Sequence, residues 1–334
     1  MQSETLFIKK LKKLLPAYGS EVVVGVGDDA AVLQSRSDKY LLVTTDVQVE
    51  GVHFKREWLT AQQLGQRAAT AALSDIAAMG GKAKHILVSL VVSSPSKGDS
   101  GQVFRPRAQD RGARMTFIKK LYKGFGAACK KYGVDIIGGN ISRGPVLIID
   151  IFVLGEIDKK HLVLRSGARA GDAVLVTGKL GRKAVVPAAR LKEGQILAKS
   201  GLVTSMIDIS DGLSTDLLHI CDASGVGVRI FEDKLPRSLS PRHSGKSSLT
   251  RRLQNRFWTS QNDTEGILNG GEDYELCLTV AQNNADKIIA ELSRKTGTKV
   301  TIIGEILKKS EGRWIVNSDG KEKILKAGGW DHFS

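Results

Sequence analysis

Between Gly25 and Leu33 the chain reads Gly-Val-Gly-Asp-Asp-Ala-Ala-Val-Leu, two adjacent carboxylates held between a glycine turn and a strand-like apolar run. Burying such charge without a partner is costly, so Asp28 and Asp29 suit a rim that faces magnesium and phosphate better than a core. Taken alone, the stretch also reads as a turn, because Gly-Asp is common turn chemistry. The argument comes from recurrence. Thr44, Thr45 and Asp46 stand where the apolar run from Leu41 to Val43 gives out. In Met206-Ile207-Asp208-Ile209-Ser210-Asp211, a strand that puts Ile207 and Ile209 on one face puts Asp208 and Ser210 on the other. Asp211 also reads as the N-cap of a helix starting at Gly212, with Ser210 in support, and capping does not exclude ligation.

A helix carries the most unusual carboxylate. From Leu64 the residues Ala68, Ala71, Asp75 and Met79 follow the spacing of one helical face, and Gly80-Gly81 closes it. Asp75 therefore lies on a small, apolar stripe that packs inward, where it needs something positive to meet it.

The remaining chain alternates. Lys9 to Leu15 reads as the end of an amphipathic helix stopped by Pro16. Short strands are expected at Val22 to Val26, Val32 to Leu33, Leu41 to Thr45, Ile86 to Val92 and Val134 to Ile137. Gly138-Gly139-Asn140 is expected to end the last of these in a turn, after a helix from Phe117 to Tyr132. Ser93 to Thr116 reads as a polar, low-complexity loop, and Val146 to Leu154 as a long apolar strand with Asp150 at its centre. Arg165 to Asp172 looks like a domain boundary. Beyond it come strands at Ala173 to Thr177, Thr204 to Ile209, Gly227 to Ile230, Tyr274 to Val280 and Lys299 to Ile303, with helices at Leu213 to Cys221 and Ala285 to Arg294. The class is α+β.

At 334 residues and 41% hydrophobic content, the chain is long enough for two domains, each with a core. No apolar run approaches the roughly 18 residues that cross a bilayer, and the N-terminus lacks a signal-peptide core, which predicts a cytoplasmic protein without membrane contact. Cys129, Cys221 and Cys277 lie far apart, so neither a disulfide framework nor a zinc site is expected. The net charge of +15 admits nucleic acid as a partner, with Arg105, Arg107, Arg111 and Arg114 as a basic loop. Only Phe104 and Phe117 lie nearby and no recognised binding motif accompanies them, which weighs against that reading. The sequence lacks a Walker-type P-loop and a complete dinucleotide fingerprint. What remains is a site where hard oxygen ligands hold magnesium against phosphate.

The stretches Gly25 to Leu33, Thr44-Thr45-Asp46 with Glu50-Gly51-Val52-His53-Phe54, Leu73 to Gly80, Ile207 to Leu213, Gly270-Gly271-Glu272-Asp273-Tyr274-Glu275-Leu276 and Trp330-Asp331-His332-Phe333 together resemble the thiamine-monophosphate kinases, in order over nearly the whole chain. The resemblance implies a two-domain fold like that of aminoimidazole-ribonucleotide synthetase. Residues 1–160 would form an ATP- and magnesium-binding domain whose mixed sheet pairs across a homodimer. Residues 161–334 would form an α/β sandwich that closes over the nucleotide and thiamine phosphate. It implies direct in-line transfer from ATP to thiamine monophosphate, assisted by several magnesium ions and without a general base. Carried over, the magnesium positions are Asp28, Asp29, Thr44, Thr45, Asp46, Asp75, Asn140, Asp208 and Asp211. Tyr122, Gly139, Asn140, Arg165 and Ser210 fall at ATP, and His53, Glu272 and Trp330 at the thiamine phosphate.

Three features depart from the family pattern. Asn140 replaces the usual Asp, Gly181 to Gly194 is shorter than expected, as if helices were trimmed, and Ser94 to Thr116 is longer and more basic. The alternatives are therefore an ATP-using enzyme of the same superfamily with another substrate, or an impaired nucleotide binder.

Overall fold

The computed structural model describes residues 4–93, 108–181, 184–237 and 264–330. Asp331, His332 and Phe333, the arginines Arg105 and Arg107, and nearly all of the basic stretch 237–256 lie outside the described residues. Two mixed sheets organise the chain. The first contains β1 (Val22–Val24), β2 (Ala31–Gln34), β3 (Lys39–Val49), β4 (Lys82–Val92), β5 (Asp135–Arg143) and β6 (Ile148–Asp158), in the order β1-β2-β3-β6-β4-β5. All pairs are antiparallel except β4 with β5. The second has seven strands, β7 (Asp172–Thr177), β8 (Val203–Asp208), β9 (Gly227–Phe231), β10 (Leu276–Ala281), β11 (Val300–Leu307), β12 (Arg313–Val316) and β13 (Glu322–Ile324). Its order is β13-β12-β9-β11-β7-β10-β8.

The helices are α1 (Glu4–Lys12), α2 (Ala61–Ala78), α3 (Ala108–Tyr132), α4 (Leu191–Ser200), α5 (Leu213–Ser224), α6 (Thr264–Asn269) and α7 (Ala285–Thr296). α2 is the hub. Its alanine-rich surface is narrow enough to be covered on all sides: it touches α3, β3 and β6 on the first-domain side and α4 and β8 on the other. Thr60 starts it with a capping box, accepting from the Gln63 N–H at 3.2 Å while the Gln63 side chain accepts from the Thr60 N–H at 2.9 Å. Gly80, at φ 74°, turns the chain out of it. Buried residues on both sides of α2, from Leu42 and Ile86 to Leu175 and Leu278, form one continuous core. A second cluster around Ile207, Leu217 and Ile230 fills the other face of the second sheet. Cys129, Cys221 and Cys277 are buried and free. Among the described residues no helix is long and apolar enough to cross a membrane.

Several expectations require correction. The strand that starts at Asp135 does not turn at Gly138-Gly139-Asn140 but continues to Arg143 beside β4. The glycines serve a close approach there, since a Cβ on Gly139 would lie 1.9 Å from the Val88 carbonyl oxygen. The supposed loop from Ser93 to Thr116 is helical from Ala108 onward, where α3 extends three turns ahead of the Leu121 and Phe125 stripe that packs on α2. Between Gly181 and Gly194 the described residues carry helix only from Leu191, where α4 begins, docked with Gly194 against the Ala77 carbonyl. The α5 N-cap is Gly212, and Asp216 within the helix accepts from the Asp211 and Gly212 N–H groups at 3.2 and 3.1 Å. The chain from Tyr274 to Glu275 precedes β10 rather than opening it. The short β12 and β13 were not anticipated.

Candidate active site

β2 pairs with β3 only over Tyr40–Val43, so Thr44 to Val49 form a rim on that side. A cavity of about 780 Å³ opens around this rim, between the two domains. Strand alternation points Thr44 toward α2 and Thr45 the other way. Thr44 Oγ1 donates to Asp75 at 2.6 Å, whereas Thr45 Oγ1 donates to Asp150 at 2.5 Å. Both line the cavity because it wraps the rim.

The deepest part is acidic. Asp29 comes from the glycine turn before β2, Asp75 from α2 and Asp208 from the end of β8, and their carboxylate oxygens lie within 4.8 Å of one another. Asp29 and Asp208 are 7% and 2% exposed, and one oxygen of each is buried without a hydrogen-bond partner. Burial pushes the Asp208 carboxyl up to about 7, with Asp29 adding to the shift. Asp75 is raised well above the usual carboxylate range by burial, then by Asp208 and Asp29. Arg165 reaches the cluster and forks onto one oxygen of Asp29 at 3.1 and 2.5 Å. Three convergent, mostly buried carboxylates with orphaned oxygens fit a hard divalent cation.

Asp46 sits on the same face of β3 as Thr44. Burial pushes its carboxyl up to about 6, and Gln48 donates to it at 3.3 Å. Ser210 and Asp211 continue the wall beyond β8. Trp330 is half exposed at the mouth, its N–H donating to the Asp211 carbonyl at 3.1 Å. His53 Nδ1 accepts from the Val49 N–H at 3.0 Å, which puts the proton of the neutral ring on Nε2. Glu272 completes the wall and pairs with Arg67 at 2.5 Å.

Twelve of the residues expected at the site thus line one cavity: Asp29, Thr44, Thr45, Asp46, Asp75 and Asp208, together with Asp211, Arg165, Ser210, His53, Glu272 and Trp330. Four do not line it. Asp28 turns back to accept from the Arg165 N–H at 3.2 Å, bracing that residue. Tyr122 packs edge-on to Phe125 on α3. Gly139 and Asn140 lie on β5, and Asn140 is exposed on the row Val47–Asp150–Ser89–Asn140, facing away from α2. Arg67, Gln48, Tyr274 and Asp150 were missed. A lone arginine in the alanine-rich α2 was a legible signal for the first, and Asp150 stood out as a polar interruption of β6.

The two halves match the models of the AIR synthase related protein N-terminal domain, over residues 27–157, and C-terminal domain, over residues 171–317. The thiamine-monophosphate kinase of Bacillus subtilis (strain 168) is 32% identical over 340 residues, covering 94% of each chain. The chain belongs to the thiamine-monophosphate kinase family. This family membership makes it a kinase. The corresponding kinase of Buchnera aphidicola subsp. Acyrthosiphon pisum is 30% identical over 93% of each chain. A solved thiamine-monophosphate kinase structure, AaThiL complexed with AMPPCP and TMP, superposes with a TM-score of 0.74 at 28% identity, covering 99% of this chain and 97% of that one.

Proposed function

We propose that this kinase transfers the γ-phosphoryl group of ATP directly, in line, to thiamine monophosphate, giving thiamine diphosphate and ADP. The observation that carries the reading is the composition of one cavity: a buried carboxylate triad at its base and His53, Glu272 and Trp330 at its mouth. Asp29, Asp75 and Asp208 would hold magnesium, with Thr44, Thr45, Asp46 and Asp211 around them. Magnesium bound there would supply positive charge to stabilise the transferring phosphoryl group.

The chain's own groups then divide the work. Arg165 reaches the triad from the second domain and supplies a guanidinium suited to phosphate oxygens. The acceptor is already an anionic phosphate near neutral pH, so no side chain needs to remove a proton in the transfer. Trp330 offers a π face, and Glu272 a carboxylate, to the cationic thiazolium. His53, which lines the cavity, would offer its ring as a hydrogen-bonding group to the acceptor phosphate. The labour would be shared between residues 1–160, with the rim, α2 and His53, and residues 161–334, with Arg165, Asp208, Glu272 and Trp330.

A homodimer in the cytoplasm belongs to the same reading. Its support is the outward face of the first sheet, which exposes Val47 and Ile137. Tyr122, Gly139 and Asn140 remain proposed nucleotide contacts without support from the cavity of a single chain. The test is incubation of purified protein with ATP, magnesium and thiamine monophosphate, and chromatographic detection of thiamine diphosphate. Wild type is expected to form it and Asp75→Asn to form none. ATP binding without product in wild type would overturn the acceptor assignment.

A further inference from the structure

Among the described residues, two that are not glycine adopt positive φ, Glu272 at 69° and Tyr274 at 52°. Bulky residues avoid that region, so something must hold them there. Part of the restraint is backbone: the Glu272 N–H donates to the Ser210 carbonyl at 2.7 Å and the Tyr274 N–H to the Ile209 carbonyl at 2.8 Å. The rest comes from two arginines that hold its two ends, Glu272 and Glu275.

At one end, Arg190 forks onto the Glu275 carboxylate, Nε at 2.7 Å and Nη2 at 2.5 Å. Thr177 Oγ1 donates to the same carboxylate at 2.7 Å. Arg190 Nη1 extends to Glu193 and Thr298 at 3.2 and 3.3 Å, and the Glu275 carboxylate fills the space a Cβ on Gly178 would occupy. This network is largely buried and lies outside the cavity lining. At the other end, Arg67 on α2 pairs with Glu272 at 2.5 Å and donates to the Ala184 carbonyl at 3.0 Å, so a first-domain helix grips the second domain. Eight residues further along the same helix is Asp75, a separation of about 12 Å at helical rise. One rigid element thus spaces the carboxylate triad from Glu272.

We propose that Arg190 and Arg67 are positioning residues for the phosphate acceptor, clamping the Glu272–Glu275 segment in the strained conformation that presents Glu272 to the cationic substrate. The inference rests on the reading of Glu272 as an acceptor contact. A two-pronged guanidinium contact fixes direction as well as distance, which a lysine cannot reproduce.

The decisive measurement compares Michaelis constants for both substrates in wild type and Arg190→Lys, beside their melting temperatures. The expected result is a rise of about tenfold for thiamine monophosphate, the cost of one misdirected charged contact, with the ATP constant within about twofold. Arg67→Met and Glu272→Gln are expected to be non-additive, the double variant being no worse than the poorer single one. Should Arg190→Lys not fold, Thr177→Val removes one hydrogen bond from Glu275 without changing charge, and a rise confined to the acceptor constant is again expected. Equal changes in both constants with a lower melting temperature, or no change in either, would overturn the positioning role while leaving the kinase reading intact. A wild type that makes no thiamine diphosphate overturns that reading and the inference together.

Discussion

At the scale of single residues, the site is held at a thermodynamic cost. Asp75 and Asp208 lie with Asp29 in a space that disfavours their ionised forms. Each folded-state pKa is raised above its unfolded value, so the folded protein retains protons that the unfolded chain releases. Stability of the metal-free protein therefore falls as pH rises from about 4 toward 7, and the penalty is complete above that window. Asp75→Asn is expected to raise the melting temperature of metal-free protein near pH 7.5 and to change it little near pH 4. The same variant is expected to lose turnover, separating stability from function. A drop in melting temperature at the higher pH would show that the three carboxylates are satisfied without a cation. At the cavity mouth, Trp330→Ala is expected to raise the Michaelis constant for thiamine monophosphate several-fold, consistent with loss of a cation–π contact of about 1 kcal/mol. The ATP constant should barely move, and equal shifts in both would place Trp330 elsewhere.

At the scale of elements, α2 organises the protein because its small residues allow everything else to come close. Gly65 lies against the backbone of α3, where an added Cβ would sit 2.2 Å from the Leu121 carbonyl oxygen. Gly124 of α3 answers it, its missing Cβ 2.1 Å from the Gln62 carbonyl. This reciprocal pair sets the α2–α3 separation. Gly65→Ala is expected to destabilise the fold by about 1–3 kcal/mol through overpacking, measured by urea denaturation, although alanine is the better helix former. No loss would mean that α3 can move away freely. The alanine stripe, the closing Gly80-Gly81 and the inward Asp75 were legible in the sequence because a helix repeats every 3.6 residues and glycine marks its end, whereas the Thr60 capping box emerged only in the structure. Gly138-Gly139 misled because glycine marks a turn and a close strand approach with the same letter. Only the pairing of β5 with β4 distinguishes them.

At the scale of the whole molecule, the first sheet buries its α2 side and leaves the other partly uncovered, with Val47 and Ile137 exposed. If this face joins two copies, Ile137→Asp is expected to convert a dimer into a monomer in light scattering at micromolar concentration, because a buried unpaired carboxylate opposes association. An unchanged mass would send the dimer elsewhere or exclude it. Asn140 lies on this face, away from the cavity. A contact between Asn140 and nucleotide would therefore have to come through assembly rather than through its own domain.

The sequence by itself determined the chemistry on offer and most of the elements. Apolar periodicity is local, and acidic residues at strand ends announce a cation whatever their later neighbours. It also determined the family, since six motifs in order leave little freedom. Tertiary structure decided which carboxylates meet, since Asp29, Asp75 and Asp208 lie 46 and 133 residues apart in turn and converge only when α2 docks between two sheets. It likewise turned Asp28 back toward Arg165, made Gly212 rather than Asp211 the N-cap of α5, and set Arg67 and Arg190 at the two ends of a strained segment. Such contacts depend on direction and on a long-range partner, and neither is written in the spacing of residues along the chain.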